Sequence, residues 1–299
     1  MSSGGLLSIQ ARYTGQGIAS LSVALNRPPV TRLFIGQAPE VVVKTVPYIY
    51  TLCAAAQRAA AQAALAAAQG IERRPVDDGE LWTELLHENF WRLLLDWPAA
   101  CGQLPGKEGF VAWRNERLGE HRLVATQKLL QDILPRVAER CLEQLGAAED
   151  LPASGFPVLQ PAAWLAYWQG AVADEPAPRW PASIAGALLT RLHETQAAAE
   201  ALAKGTPFPV AAAGDDGWGV GQTLTARGVL THAARVREGR VVNYRVWAPT
   251  DCHFADAHGL QTLLAGRPTA DLGAARRAID QAVLALDPCL PYVVEIEHA

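Results

Sequence analysis

The stretch that opens Cys53-Ala54-Ala55-Ala56-Gln57-Arg58 and runs on to Ala68 is built almost wholly from alanine, with Gly70 just beyond it. Alanine enters a helix at the least free-energy cost, and glycine ends one, so the run predicts a helix closing at Gly70. Small side chains let neighbouring elements approach closely, which places this helix in the buried centre of the fold.

The pattern on either side is mixed. Leu6 to Ile9 and then Ile18-Ala19-Ser20-Leu21-Ser22-Val23-Ala24-Leu25 alternate apolar and polar residues around Gly15-Gln16-Gly17, the signature of a β-hairpin. Leu81 to Trp97, His121 to Leu145 and Ile184 to Ala203 repeat apolar residues every three or four positions and predict amphipathic helices. The Pro- and Gly-bearing segments Gly102 to Gly109, Leu151 to Pro161 and Asp174 to Pro181 read as connections. Strand patterning returns in Gly228 to Val236 and Val241 to Trp247, split by Glu238-Gly239, and predicts a second hairpin. A helix from about Leu272 to Leu286 follows, stopped by Pro288 directly before Cys289. This order predicts a predominantly helical α+β fold in one domain over 1–299, with an N-terminal region 1–70, a helical middle 71–220 and a C-terminal region 221–299.

Bulk properties exclude several functions. With 299 residues, half of them apolar and only 19% charged, the chain can bury a large core. A net charge of -4 offers no basic surface for phosphates, so no nucleic acid is expected as a partner. Arg, Gln, Asp or Pro interrupts every run before the roughly 20 apolar residues that a membrane crossing needs, so no membrane insertion is expected. Met1-Ser2-Ser3-Gly4-Gly5 lacks the basic and apolar stretches of a secretory signal, which predicts a cytoplasmic, reducing location. Five scattered cysteines without a local Cys-x-x-Cys fit neither a disulfide framework nor a zinc ribbon.

Two of those cysteines carry more information. Cys53 lies in Val46-Pro47-Tyr48-Ile49-Tyr50-Thr51-Leu52-Cys53, and Cys289 in Asp287-Pro288-Cys289-Leu290-Pro291-Tyr292. Between them come Arg227-Gly228-Val229-Leu230-Thr231-His232 and Ala248-Pro249-Thr250. In this order and approximate spacing the four fragments resemble the nickel-iron hydrogenase large subunits, and with Arg32 to Arg58 the likeness covers both ends of the chain and leaves a shortened middle. In that family each end supplies a Cys-x-x-Cys pair, and the four thiolates hold nickel and an iron bearing carbon monoxide and cyanide. Soft thiolates suit such metals.

The resemblance implies a depleted site. Cys53 matches the second cysteine of the first pair, with Tyr50 in place of its partner, and Cys289 matches the first cysteine of the second, with Tyr292 in place of the other. Gln57 and Glu295 stand where a histidine usually follows each pair. Tyrosine, with a pKa near 10, is a poor ligand for low-valent metal, so neither nickel binding nor hydrogen turnover is expected. The chain ends ten residues after Cys289, leaving little of the tail that hydrogenase precursors lose, and neither Gln10 to Gly15 nor Leu224-Thr225-Ala226 supplies the family's acidic residues. What is kept concerns the iron. By the resemblance, Arg227 lies over the metal, and Pro249 and Thr250 form the segment that donates hydrogen bonds to a cyanide, a buried anionic acceptor. Cys252, in Asp251-Cys252-His253, is a candidate third ligand in the same cavity.

This combination resembles the hydrogenase accessory proteins of the HupK or HoxV type. It implies a non-catalytic scaffold that transiently holds the Fe(CN)2(CO) fragment through Cys53 and Cys289, without nickel. The implied partners are the carrier chaperone and iron-sulfur assembly protein of hydrogenase maturation, together with the large-subunit precursor. The alternative is a metal-free mimic of the large subunit acting as an adaptor. On the residues alone, Arg227 is equally an ordinary salt-bridge partner. Cys101 and Cys141 read as structural, His232 and His253 as satisfied histidines, and Tyr50 and Tyr292 as filling volume that nickel vacated. Trp82, Trp91, Trp97, Trp164 and Trp168 read as helix-packing residues.

Overall fold

The computed structural model describes residues 5–146, 155–176, 180–267, 269 and 271–298. Strands β1 (Leu6–Thr14) and β2 (Gly17–Asn26) form the expected antiparallel hairpin. A 3-10 turn, Val30–Phe34, leads to α1 (Pro39–Ile49) and then α2 (Ala54–Gln69), the alanine helix. Gly70 ends α2 with φ 64°, a left-handed conformation that glycine adopts without a Cβ penalty.

Two of the expected long helices are interrupted. The first divides into α3 (Asp78–Trp91), a π-helical turn at Arg92–Asp96 and α4 (Trp97–Ala100). After α5 (Lys107–Glu116), the second divides into α6 (Arg122–Lys128), a π turn at Leu129–Ile133 and α7 (Leu134–Leu145). Each π turn ends two residues before a proline, Pro98 or Pro135. Proline has no N–H and its ring collides with the carbonyl four residues back; widening the turn relieves both without ending the helix.

Next come α8 (Pro161–Trp168) and α9 (Ile184–Lys204), the latter capped by the Ser183 hydroxyl, which accepts from Gly186 N–H at 2.9 Å. Strands β3 (Val210–Asp215), β4 (Trp218–Thr225), β5 (Gly228–Arg237) and β6 (Arg240–Trp247) make an antiparallel sheet in that order. The expected hairpin is its β5–β6 half; β3 and β4 extend it. The chain closes with α10 (Pro249–His253), α11 (His258–Leu264), α12 (Leu272–Leu286) and β7 (Tyr292–His298). Strand β7 pairs in parallel with β1, from Leu7 against Tyr292 to Tyr13 against His298, so the two ends of the sequence share one sheet.

Several sequence expectations are corrected. The connection Gly102 to Gly109 already contains the first turn of α5, and Pro161 begins α8. Residues 151–154 and 177–179 of the other expected connections lie outside the described residues. By contrast, α12 has the expected bounds, with Asp287 leaving the helical region at φ 48° directly before Pro288.

Helix α2 occupies the centre, as its composition requires. It crosses β4 so closely that a Cβ built on Gly219 would lie 2.1 Å from Ala64 O, and one on Gly221 2.3 Å from Ala60 O. Gly214 of β3 meets Ala67 O in the same way, at 2.3 Å. Alanine on the helix and glycine on the strands are two halves of one contact, in which backbone packs on backbone. Most of α2 is buried, and a core cluster gathers it with α3, α9, α12 and β1. Among the described residues no helix is long and apolar enough to cross a membrane.

Candidate metal-fragment site

The loop between α1 and α2, the face of α3 and the segments after β6 and α12 enclose a cavity of about 910 Å3. Cys53, Arg227, Pro249, Thr250 and Cys289, far apart in sequence, all line it. Five of the six residues singled out from the sequence therefore line one cavity.

Cys53 is the residue that enters α2. The first free N–H groups of this helix, from Ala55 and Ala56, donate to the Glu84 carboxylate of α3 at 2.7 and 2.9 Å, so a neighbouring helix supplies the cap. Burial pushes the Cys53 thiol up to about 12; nearby Glu84 adds to this and Arg227 opposes it. Burial also raises Glu84, to about 7, against the two backbone hydrogen bonds.

Cys289 is placed differently. Its N–H donates to Thr250 Oγ1 at 3.1 Å, which fixes the turn after α12 against the start of α10. Arg92 grips the same turn twice, donating from Nε to Asp287 at 2.7 Å and from Nη2 to Pro288 O at 2.9 Å. Arg191 reaches the other oxygen of Asp287 at 2.5 Å. Asp287 is buried, which opposes its ionisation, but Arg227, Arg92 and Arg191 outweigh this and hold it well below the usual carboxylate range. The Cys289 sulfur accepts from Arg27 Nη2 at 3.1 Å, while Arg27 Nε pairs with Asp251 at 3.0 Å.

Arg227 joins the two sides as an ion-pair partner, the ordinary salt-bridge reading of it. Its side chain is 3% exposed; Nη2 donates to Glu88 at 3.0 Å and Nε faces Asp287 at 3.5 Å. Nη1 is buried and has no hydrogen-bond partner among the described residues. A buried guanidinium N–H left over beside a cavity is a donor awaiting an acceptor. Thr250 is also fully buried, and because its oxygen accepts from Cys289 its O–H remains available to donate.

The remaining assignments are met or corrected as follows. Cys252 does not share the cavity: it faces a separate space of about 620 Å3 behind Pro249, and its S–H donates to Glu175 at 3.4 Å. Burial, then Glu175, pushes this thiol up to about 12. Its helix, α10, points Thr250 and Cys252 to opposite sides, which explains the miss. Tyr50 and Tyr292 line the cavity without filling it, and burial raises both phenols to about 12. Trp91 is 40% exposed at the cavity, whereas Trp82, Trp97 and Trp164 are buried packing residues. Trp168 packs on Trp218. Cys101 and Cys141 are buried and unbridged. His232 is a satisfied core histidine: its ring nitrogens sit 2.7 Å from Tyr244 OH and 2.7 Å from Gln57 Oε1, and burial lowers it to about 3. His253 is buried beside Leu286 O. Arg27, Glu88 and the structural role of Asp287 went unread; Arg27 precedes Pro28-Pro29 with no motif around it, and Glu88 is one of many acids on a helix.

Chemically, the cavity offers two sulfurs for a soft metal and two buried donors, Arg227 Nη1 and the Thr250 hydroxyl, for anionic acceptors carried by that metal. Among the described residues no group of three or more His, Cys, Asp or Glu is placed to hold a metal ion.

The fold is that of the hydrogenase large subunit: the nickel-iron-selenium hydrogenase of D. vulgaris Hildenborough superposes with a TM-score of 0.63 over 91% of this chain and 93% of its own, at 14% identity. The enzyme of Desulfomicrobium baculatum gives 0.62 at 12% identity, over 93% of this chain and 95% of that one. No family model matches the sequence. The hydrogenase expression/formation protein HupV of Azotobacter chroococcum is 30% identical over 99% of both chains. This chain belongs to the family of hydrogenase expression/formation proteins that includes HupV and HupK.

Proposed function

We propose that this chain serves hydrogenase maturation as a non-catalytic scaffold, holding an iron that bears cyanide and carbon monoxide between Cys53 and Cys289 and then releasing it. The iron fragment is its cargo. The observation that carries this reading is the convergence of two thiols from opposite ends of the sequence on one cavity that also presents the unpartnered Arg227 Nη1. Two thiolates bind iron through fewer bonds than the four of a complete site, so each missing ligand favours transfer over retention. Guanidinium and hydroxyl donors stabilise bound cyanide without reorganising water. Tyr50 and Tyr292 put phenols, poor ligands for low-valent metal, where nickel would need a third and a fourth thiolate. The partners that fit are a carrier chaperone and an iron-sulfur assembly protein as donors, and the large-subunit precursor as recipient.

Anaerobic co-production with hydrogenase maturation proteins, followed by metal analysis and infrared spectroscopy, tests the reading. Iron without nickel, with cyanide and carbonyl bands lost in Cys53→Ala and Cys289→Ala, is the expected result. No bands under conditions that load other iron carriers would remove the cargo. Normal hydrogenase maturation in a host carrying either variant would leave the metal-free adaptor instead. Hydrogen uptake by the purified protein would end the non-catalytic reading.

A further inference from the structure

Behind Cys53 runs a chain of hydrogen bonds that reaches the middle of the β-sheet. Gln57, one turn into α2, donates from Nε2 to Cys53 Sγ at 3.7 Å. Its Oε1 lies 2.7 Å from His232 Nε2 on β5, and His232 Nδ1 lies 2.7 Å from the Tyr244 hydroxyl on β6. Gln57, His232 and Tyr244 are all buried, and no water is needed to link them.

The direction of this chain is fixed at its far end. Among the described residues the Tyr244 O–H has only His232 as a hydrogen-bond partner, so its proton is used only if it points at Nδ1. Nδ1 is then the acceptor and Nε2 carries the hydrogen. An Nε2–H must donate to the Gln57 carbonyl, which turns the Gln57 amide N–H toward Cys53. The opposite polarity would bury a phenol hydrogen without an acceptor and present a carbonyl oxygen to the sulfur.

We infer that His232 and Tyr244 are positioning residues for Cys53: they lock the Gln57 amide so that the sulfur always meets a donor. The sulfur is thereby prepared as an acceptor, the state in which it is a metal ligand, and a donor to a ligating sulfur draws charge from it and eases release. This role deepens the scaffold reading and rests on Cys53 being a holding thiol, but the locking itself is a property of the metal-free protein and is measured there.

The test uses the full chain without metal. Nitrogen-15 spectra of the histidine ring, assigned with His232→Gln, read the tautomer; the Cys53 S–H stretching band, isolated by difference from Cys53→Ala, reads the donor at the sulfur. His232 is expected as the Nε2–H tautomer. Tyr244→Phe and Gln57→Leu are each expected to shift the Cys53 band, by flipping the amide or removing it. Phe34→Leu disturbs the packing against the Tyr244 ring, whose centroid lies 4.9 Å away, with no hydrogen bond involved, and is expected to leave the band in place. If Tyr244→Phe does not fold, Gln57→Leu with the wild-type tautomer carries the test. An Nδ1–H tautomer in the wild type, or a band unmoved by Gln57→Leu, would overturn the inference. Either result would leave the iron fragment's own infrared test untouched.

Discussion

The two sulfurs of the cavity are held by different physics. Cys53 is placed chiefly by shape: it begins a helix whose alanines press backbone to backbone on Gly219 and Gly221, with the Gln57 amide directed at its sulfur and Glu84 and Arg227 nearby. Cys289 is placed by charge: its turn hangs on a buried carboxylate, Asp287, shared by Arg92, Arg191 and Arg227. Shape gives a position that cannot move without unpacking the core. Charge gives one that depends on a balance of large opposing terms, desolvation against attraction, and that a single neutralisation upsets. On the proposed scaffold reading, release is served by one fixed arm and one arm whose hold is adjustable.

Removing the carboxylate should break the comparison most sharply. Asp287→Asn leaves three guanidinium groups around a neutral amide and is expected to cost about 3–5 kcal/mol, the usual penalty for stripping one partner from a buried ion pair, read by urea unfolding. Hydrogen exchange should accelerate at the Cys289 amide, now less firmly held on Thr250, with little change at Ala55 and Ala56. Equal acceleration at both would mean that the arms are not separately supported.

The shape-held arm predicts the converse. Gly219→Ala places a methyl 2.1 Å from the Ala64 carbonyl oxygen, which no rotamer relieves, and is expected to cost ~3 kcal/mol. Exchange at Ala55 and Ala56 should rise while the Cys289 amide stays protected. A stability change below that of an ordinary surface substitution would show that α2 and β4 are not in backbone contact.

Acid separates the two by window, since Asp287 begins to lose its contribution only below the ordinary aspartate range near 3.8. The buried imidazole of His232 has its pKa lowered from 6.5 to about 3 in the folded chain. The unfolded chain therefore takes up a proton near 6.5 that the folded one refuses. Stability is full above 6.5 and falls as pH drops toward 3, by about 1.4 kcal/mol per unit. His232→Gln should flatten that slope in denaturation curves measured between those limits. An unchanged slope would assign acid sensitivity elsewhere.

Those three sites also show what a sequence displays. Alanine and alternation mark α2 and both predicted hairpins because local pattern and local structure coincide there. Strand β7 carries only the short alternation Val294-Glu295-Ile296-Glu297, and nothing in it names its partner β1 at the other end of the sequence. The π turns are visible only as Pro98 and Pro135, which argue equally for a helix end. Cys53, Cys289, Arg227, Pro249 and Thr250 were legible through family resemblance and do line one cavity, whereas Cys252 sits in the same segment but faces away, because sequence proximity says nothing about which side of a helix a residue takes. Glu88 and Arg27 could not be read at all, since a carboxylate or guanidinium acquires its role only from what the fold brings against it.

Arg27 gives the smallest effect and the finest resolution. Its pairing with Asp251 is partly exposed, at 28% and 31%, so it belongs to the charge-held arm but not to its buried part. Arg27→Gln should therefore cost about 1 kcal/mol or less, and the difference from wild type should shrink at 1 M salt, where the screening length falls to roughly 3 Å. The Asp287→Asn penalty, arising in the interior, should persist at the same salt. Arg27→Lys retains the charge but not the fork that reaches Asp251 from Nε and Cys289 from Nη2, so it should restore less than full stability. Complete rescue by lysine would reduce Arg27 to a point charge at the cavity; partial rescue would establish that the outer half of the Cys289 arm is held by a directed hydrogen bond to the sulfur as well.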